Sequence, residues 1–202
     1  MASELAATDA LIVVDVQNDF LPGGHLAVPQ GDEVVSVLNR YLAAFERARR
    51  PIFVTRDWHP VNHCSFKRQG GPWPVHCVAH TQGAAFAPAL RLPATAAIIS
   101  KGITPDKEAY SGFEGTSLEE RLRLAGVRRL YVGGLATDYC VLNTVKDGLL
   151  HGFGVVLLMD AIRPVNVHES DGPNAEAEML RLGATPFDLA EAARLEGSRV
   201  LP

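Results

Sequence analysis

Short apolar runs rich in β-branched residues, each closed by polar ones, constrain this chain more than any other feature. They span 11–15, 52–57, 97–101, 130–135 and 155–160. Continuous runs of this length, without polar alternation, mark strands buried on both faces. A weaker sixth run lies at 185–189. Helical patterns fall between them. Val34, Val35, Leu38, Leu42 and Phe45 form a stripe that ends before Pro51, as one face of an amphipathic helix does. Ser117-Leu118-Glu119-Glu120 has the form of a capping box, with Gly126 as the stop. Thr137 or Asp138 is expected to cap a helix running to about Gly152, and a shorter helix is expected over 176–182, before Gly183. Strands alternating with helices imply an α/β fold with a parallel sheet covered on both faces.

The 202 residues suffice for a core without disulfide or metal staples, since a domain of this size buries roughly 70% of its unfolded surface. Nineteen Lys and Arg against 23 Asp and Glu give a net charge of -4. That balance argues against nucleic acid or an anionic membrane surface as partner, because both demand clustered positive charge. Residues 1–10 carry no basic stretch, and no apolar run approaches the length of a signal or a membrane span. With three cysteines, an odd number, the expectation is a cytoplasmic protein with free thiols. We expect one domain over 1–202, carrying an irregular insert at about 58–86 rich in His, Gly, Pro and Trp. A loop of that length in a compact domain usually serves function.

In open α/β sheets, ligands bind beyond the carboxyl ends of the strands. Asp15, Asp57, Lys101 and Asp160 stand at or near those ends, and Cys140 follows the fourth strand where a helix opens. Free N–H groups and the positive end of the macrodipole there favour thiolate over thiol and can hold an oxyanion. Asp15 closes a run of Leu, Ile and Val, where a carboxylate is costly unless paired or used. It could take the Cys140 proton, with Lys101 steadying both, or it could simply form a rim ion pair with Lys101. For Cys140 the alternative is a buried structural thiol.

Asp57-Trp58-His59 sets an acid and an imidazole two residues apart, on one side of an extended segment. His63 and His76 follow in the insert, with His25 and His80 further away. Three N/O donors with open positions suit a catalytic zinc or a related divalent ion; a metal-free His-rich loop is the alternative. Phe20, Trp58, Trp73 and Tyr110 could line a pocket for a flat ring or serve packing.

These residues fall in Asp15-Val16-Gln17-Asn18-Asp19-Phe20, in Arg56-Asp57-Trp58-His59-Pro60 with Asn62-His63, and in Trp73-Pro74-Val75-His76-Cys77-Val78. Ser100-Lys101-Gly102, Tyr110-Ser111-Gly112-Phe113 and Gly134-Leu135-Ala136-Thr137-Asp138-Tyr139-Cys140-Val141 follow. In that order, over about residues 10–165, the chain resembles the nicotinamidases among the isochorismatase-like cysteine hydrolases. The resemblance implies a three-layer α/β/α fold around six mainly parallel strands. It implies a catalytic triad of Asp15, Lys101 and Cys140. It implies an oxyanion hole from the N–H groups of Cys140 and of Ala136, the latter following a cis peptide. Metal ligands would be Asp57, His59 and His76, with His63 matching a fourth ligand in some members. Ring contacts would come from Phe20, Trp73 and Tyr110.

The implied reaction is hydrolysis of nicotinamide to nicotinate and ammonia through a Cys140 thioester, in NAD salvage, with pyrazinamide as a side substrate. The implied cofactor is one divalent ion, zinc foremost, with iron or manganese as alternatives. The expected partner is the small-molecule substrate, with no nucleic acid and no membrane; homo-oligomerisation stays open. One departure is that Glu108-Ala109-Tyr110-Ser111-Gly112-Phe113 stands where many members read Asp-Ser-Tyr-Ser-Ala-Phe. Three rivals stand beside this reading. Relatives acting on carbamoyl or ureido compounds keep the Asp–Lys–Cys set but generally lack the metal cluster, and the isochorismate-cleaving relative lacks the nucleophilic Cys. A non-catalytic binding module on the same fold would hold nicotinamide without releasing ammonia, since function resides in the site and not in the fold.

Overall fold

In the computed structural model, which describes residues 5–189, six strands form one sheet. They are β1 (Asp9–Val14), β2 (Ile52–Asp57), β3 (Ala97–Lys101), β4 (Arg129–Leu135), β5 (Gly154–Arg163) and β6 (Thr185–Phe187). The order is β3-β2-β1-β4-β5-β6 and every pairing is parallel. The expected six-stranded, mainly parallel sheet is thus present in its stricter, all-parallel form.

Strand β1 explains the layers. Leu11 and Val13 pack with Val34, Leu38, Leu42 and Phe45 of α1 (Glu33–Arg47). Ala10, Ile12 and Val14 pack on the other side with Leu118 and Leu122 of α2 (Leu118–Leu124), Val145 of α3 (Leu142–Leu150) and Met179 of α4 (Asp171–Arg181). All six β1 residues are buried, as a period-2 strand between two helical layers requires. The α1 stripe behaves as its spacing predicts, with Val34, Val35, Leu38, Leu42 and Phe45 all buried.

Hydrogen bonding corrects several local expectations. Ser117 makes no cap bond; the Thr116 hydroxyl accepts from Leu118 N at 3.1 Å and donates to Gly112 O at 2.6 Å. Neither Thr137 nor Asp138 caps the helix after β4. The Asp138 carboxylate accepts instead from Val165 N and Asn166 N, both at 2.8 Å, and Thr137 Oγ1 is buried without a hydrogen-bond partner. Helix α4 begins at Asp171 rather than 176, since Pro173 lies in its first turn, where a missing N–H costs nothing. Strand β5 does not close at Asp160. Its pairing with β4 shifts register between Val132↔Leu157 and Gly134↔Ile162, a bulge that re-aims the side chains within it. Asp160 therefore accepts from Tyr41 Oη at 2.8 Å and Leu189 N at 3.1 Å and takes no place at the rim where it was expected.

The strand order reverses around β1. The chain first lays β2 and β3 on one side, then β4, β5 and β6 on the other. The crevice beyond the carboxyl ends at such a switch point is where open α/β sheets bind ligands. Among the described residues, no helix is long and apolar enough to cross a membrane.

Candidate active site

Four strand ends deliver charged or nucleophilic groups to that crevice. Asp15 directly follows β1, with φ at +49°. Asp57 and Lys101 are register partners at the ends of β2 and β3. Cys140 lies in a π-helical turn, Thr137–Val141, between β4 and α3, and not in the first turn of an α-helix as expected. Strand β4 reaches β1 closely enough only because position 134 is glycine. Its φ is +131°, and a Cβ there would stand 2.1 Å from Val14 O.

The Lys101 ammonium is the hub. Nζ donates to Asp57 Oδ1 at 2.5 Å, Ala109 O at 3.0 Å and Cys140 Sγ at 3.3 Å, which uses all three of its hydrogens. Asp15 Oδ2 forms a fully buried ion pair with Nζ at 2.9 Å. Asp15 Oδ1 accepts from the Thr55 hydroxyl at 2.6 Å. Asp15, Asp57 and Cys140 present atoms within 4.8 Å of one another. A carboxylate beside a thiol is a ready proton acceptor.

The electrostatics divide the two carboxylates. Burial pushes the Asp15 carboxyl above its ordinary 3.8 despite the pull of Lys101, and the neighbouring Asp57 adds to the rise. Burial works the same way on Asp57, but Lys101 and then His59 outweigh it and hold that carboxyl well below 3.8. Burial opposes the charge on Lys101, yet Asp15 and Asp57 carry its pKa well above 10.5. The Cys140 thiol is pushed well above 9.0 by burial, against the pull of Lys101 and with the help of Asp15 and Asp57. Burial and the two carboxylates thus oppose the thiolate that the helix start favours. Of the two carboxylates, Asp15 is the one whose pKa is raised.

Asp57 also faces the other way. Its Oδ2 lies 3.5 Å from His59 Nε2 and 3.9 Å from His76 Nε2, and the three residues offer donor atoms within 4.8 Å of one another. His59 Nδ1 lies 2.9 Å from Gly102 O, and His76 Nδ1 lies 2.8 Å from Pro74 O. Such carbonyl contacts fix each ring so that Nε2 is its free donor. Two imidazoles and a carboxylate in this setting fit a divalent ion of the zinc, iron or manganese type. His63 stands outside the cluster: Nδ1 lies 2.7 Å from Ser65 Oγ and Nε2 2.9 Å from Lys107 O, while its ring stacks on His59 at 4.0 Å. Cys77 is buried and Cys64 half-buried; neither joins the cluster. His80 stacks edge-on against Trp58 at 5.0 Å.

A narrow cleft lined by Asp57, His76, Ala136 and Cys140 joins the two groups. Phe20, Trp73 and Tyr110, expected as ring contacts, line it. Trp73 Nε1 donates to Tyr110 Oη at 2.9 Å, which locks that wall; burial raises the Tyr110 phenol to about 12. The peptide Leu135–Ala136 is cis. Trp58, the fourth aromatic of the sequence, lies outside the cleft under the Arg56 guanidinium, 3.6 Å from its ring centre.

Sequence reasoning missed several supports. Leu26, Tyr139 and Val165 complete the cleft wall. Gln17 clamps Asp57, with Nε2 donating to Asp57 O and Oε1 accepting from Asp57 N, both at 2.8 Å. Gln17 sits two residues beyond Asp15, and a buried amide there was a readable signal; Leu26 and Val165 left none.

A family model for the isochorismatase domain matches residues 9–191. The nicotinamidase of Escherichia coli K12 is 40% identical over 93% of this chain and 98% of its own length. The solved pyrazinamidase of Pyrococcus horikoshii in complex with zinc is 50% identical, with a TM-score of 0.87 over 90% of this chain and 99% of that one. An L. infantum protein solved in complex with nicotinate is 36% identical, with a TM-score of 0.85 over 92% of this chain and 96% of that one.

Proposed function

Because the chain belongs to the isochorismatase family, we propose that it hydrolyses nicotinamide to nicotinate and ammonia, with a bound divalent ion. One observation carries the reading. Asp57 joins a Lys–Asp–Cys cluster on one oxygen to a His–His–carboxylate set on the other, in the lining of one aromatic cleft. A reactive sulfur therefore lies beside a site for a ring nitrogen. The reading treats residues 1–202 as one catalytic domain whose insert at about 58–86 carries His59 and His76.

Asp57, His59 and His76 would hold the ion, zinc first; when bound, it supplies a Lewis-acid site for the pyridine nitrogen and so orients the ring. Phe20, Trp73 and Tyr110 sandwich the ring and exclude water. Asp15 Oδ2 takes the Cys140 proton as Sγ bonds to the carboxamide carbon. The oxyanion that forms meets the N–H groups of Ala136 and Cys140. Asp15 returns the proton to the amide nitrogen, the C–N bond breaks, and ammonia leaves a thioester. A water gives its proton to Asp15 and adds to the thioester carbon. The C–S bond then breaks, Sγ recovers the proton from Asp15, and the product leaves as the acid, which gives its own proton to the released ammonia and becomes nicotinate. Lys101 keeps its charge throughout and steadies whichever partner is anionic. Pyrazinamide, with its ring nitrogen and carboxamide in similar places, fits the same cleft, and the nicotinate released is a precursor for NAD salvage.

The test is ammonia release from nicotinamide by purified protein, before and after chelator treatment and after zinc is restored. Release that falls on chelation and returns with zinc supports both the substrate and the ion. Folded, zinc-loaded protein that releases none rejects the reading and turns attention to carbamoyl and ureido amides.

A further inference from the structure

Asp19 lies outside both groups, yet its side chain is only 6% exposed and its carboxylate ties together two segments of different purpose. Oδ2 accepts from Cys77 N at 2.7 Å. Oδ1 accepts from His25 N at 3.3 Å and lies 2.6 Å from His25 Nδ1. Its backbone oxygen accepts from Leu26 N at 3.0 Å. The carboxylate fits against Gly83 so closely that a Cβ on that glycine would stand 2.2 Å from Oδ2.

Each tether ends beside a working residue. Cys77 follows His76 and holds a φ of +45°, a left-handed backbone that a non-glycine residue adopts only when its surroundings require it. The Cys77 carbonyl accepts from His59 N at 3.0 Å. Cys77 thus links the segments of the two imidazoles, its carbonyl bound to His59 N and its N–H anchored by Asp19. Leu26, next to His25, forms part of the cleft wall. Its segment, 21–28, contains no helix or strand and is tied to Asp19 at Leu26 N and at His25, whose ring is otherwise largely exposed.

We infer that Asp19 is a positioning residue with two arms: through Cys77 N it sets the imidazoles that face the ion, and through His25 it holds the Leu26 wall against the substrate ring. The inference rests on the proposed ligand set Asp57, His59 and His76. A carboxylate suits the post because it only accepts, and every group facing it donates. An amide of the same shape would turn one N–H toward a donor and leave one arm unmade.

Zinc affinity, measured by competition with a chromophoric chelator, reads one arm; the KM and kcat for nicotinamide read the other. In Asp19→Asn the apparent zinc Kd should rise about 10–100-fold, the usual cost of removing a support behind the ligands, and KM should rise with it. In His25→Ala the zinc Kd should match wild type while KM rises and kcat holds. A folded Asp19→Asn with wild-type zinc affinity overturns the inference and leaves the ligand set standing. Wild-type protein that binds no zinc overturns both. Should Asp19→Asn fail to fold, His25→Ala decides: an unchanged KM, or a zinc Kd raised in that variant, overturns the two-armed role.

Discussion

The two halves of the candidate site are built in different ways although they share Asp57. In the half around Lys101, the strands place the side chains. Asp57 and Lys101 stand opposite each other by register, and Asp15 and Cys140 follow neighbouring strands. In the half around His59 and His76, loop carbonyls do the placing, from Gly102 and Pro74. A charge cluster set by a sheet is hard to shift without damaging the fold. A donor set held by loop backbone can be loosened locally. The shared carboxylate also shows why one half does not substitute for the other, since its two oxygens are committed to opposite sides.

Cys140→Ala tests the separation most severely. Ammonia release should fall by about 10⁴-fold or more, as removal of a nucleophile does, while zinc content by elemental analysis stays at the wild-type level. Joint loss of metal and activity would mean that the halves are one unit.

Lys101→Met should be next in size. It leaves Asp15 and Asp57 buried without their counter-charge, and stability to denaturant should drop by about 3–5 kcal/mol. This loss has a pH window. The Asp57 carboxyl is held below 3.8, so its pairing stabilises above that value and is lost as pH falls through the lower folded value. The Lys101 pKa is raised above 10.5, so its contribution is complete below 10.5 and disappears as pH rises through the folded value. The gap between wild type and variant should be widest between those limits. A gap that does not vary with pH would show that packing, not charge, makes the difference.

Gly102→Ala acts on the loop half alone. With φ at +61°, a Cβ there would stand 2.5 Å from His59 Cε1, so the imidazole must move. Zinc affinity should weaken about 10–100-fold, at about 1 kcal/mol in stability for the left-handed backbone. Wild-type zinc affinity in this variant would remove His59 from the ligand set.

The smallest effect belongs to Thr55→Val, which deletes the hydroxyl on Asp15 Oδ1. Stability should fall by about 1.5 kcal/mol. The hydroxyl lowers the Asp15 pKa, so its loss should move the acid limb of the kcat/KM profile to higher pH, with zinc affinity unchanged. A limb that stays in place would deny Asp15 the role of base.

The same division governs what the sequence revealed. Asp15, Asp57 and Lys101 were legible because a lone charge closing an apolar run has few bland explanations. His59 was legible through its spacing from Asp57. Asp160 looked equivalent and was not, because a bulge inside β5 leaves no trace in hydrophobic pattern. The surroundings of Cys140 were hidden for a related reason: local sequence shows a helix start but not the burial of the sulfur among Lys101, Asp15 and Asp57. Leu26 and Val165 could not be read at all, since each acts only through a fold that brings distant loops to one cleft.

The reversal of strand order around β1 also sets when the site can come into being. β1 completes its pairing with β4, and Asp9 meets Arg129 across 120 residues of chain. Contacts that close so long a loop form slowly, because the chain loses its freedom before the pairing rewards it. A nascent chain still emerging from the ribosome can lay β2 beside β1 and β3 beside β2, but Asp15 has no sulfur near it until β4 and the turn after it have been made. Assembly of thiol, base and ammonium is thus a late event in folding. A truncated or stalled chain carries the parts of the site without its chemistry.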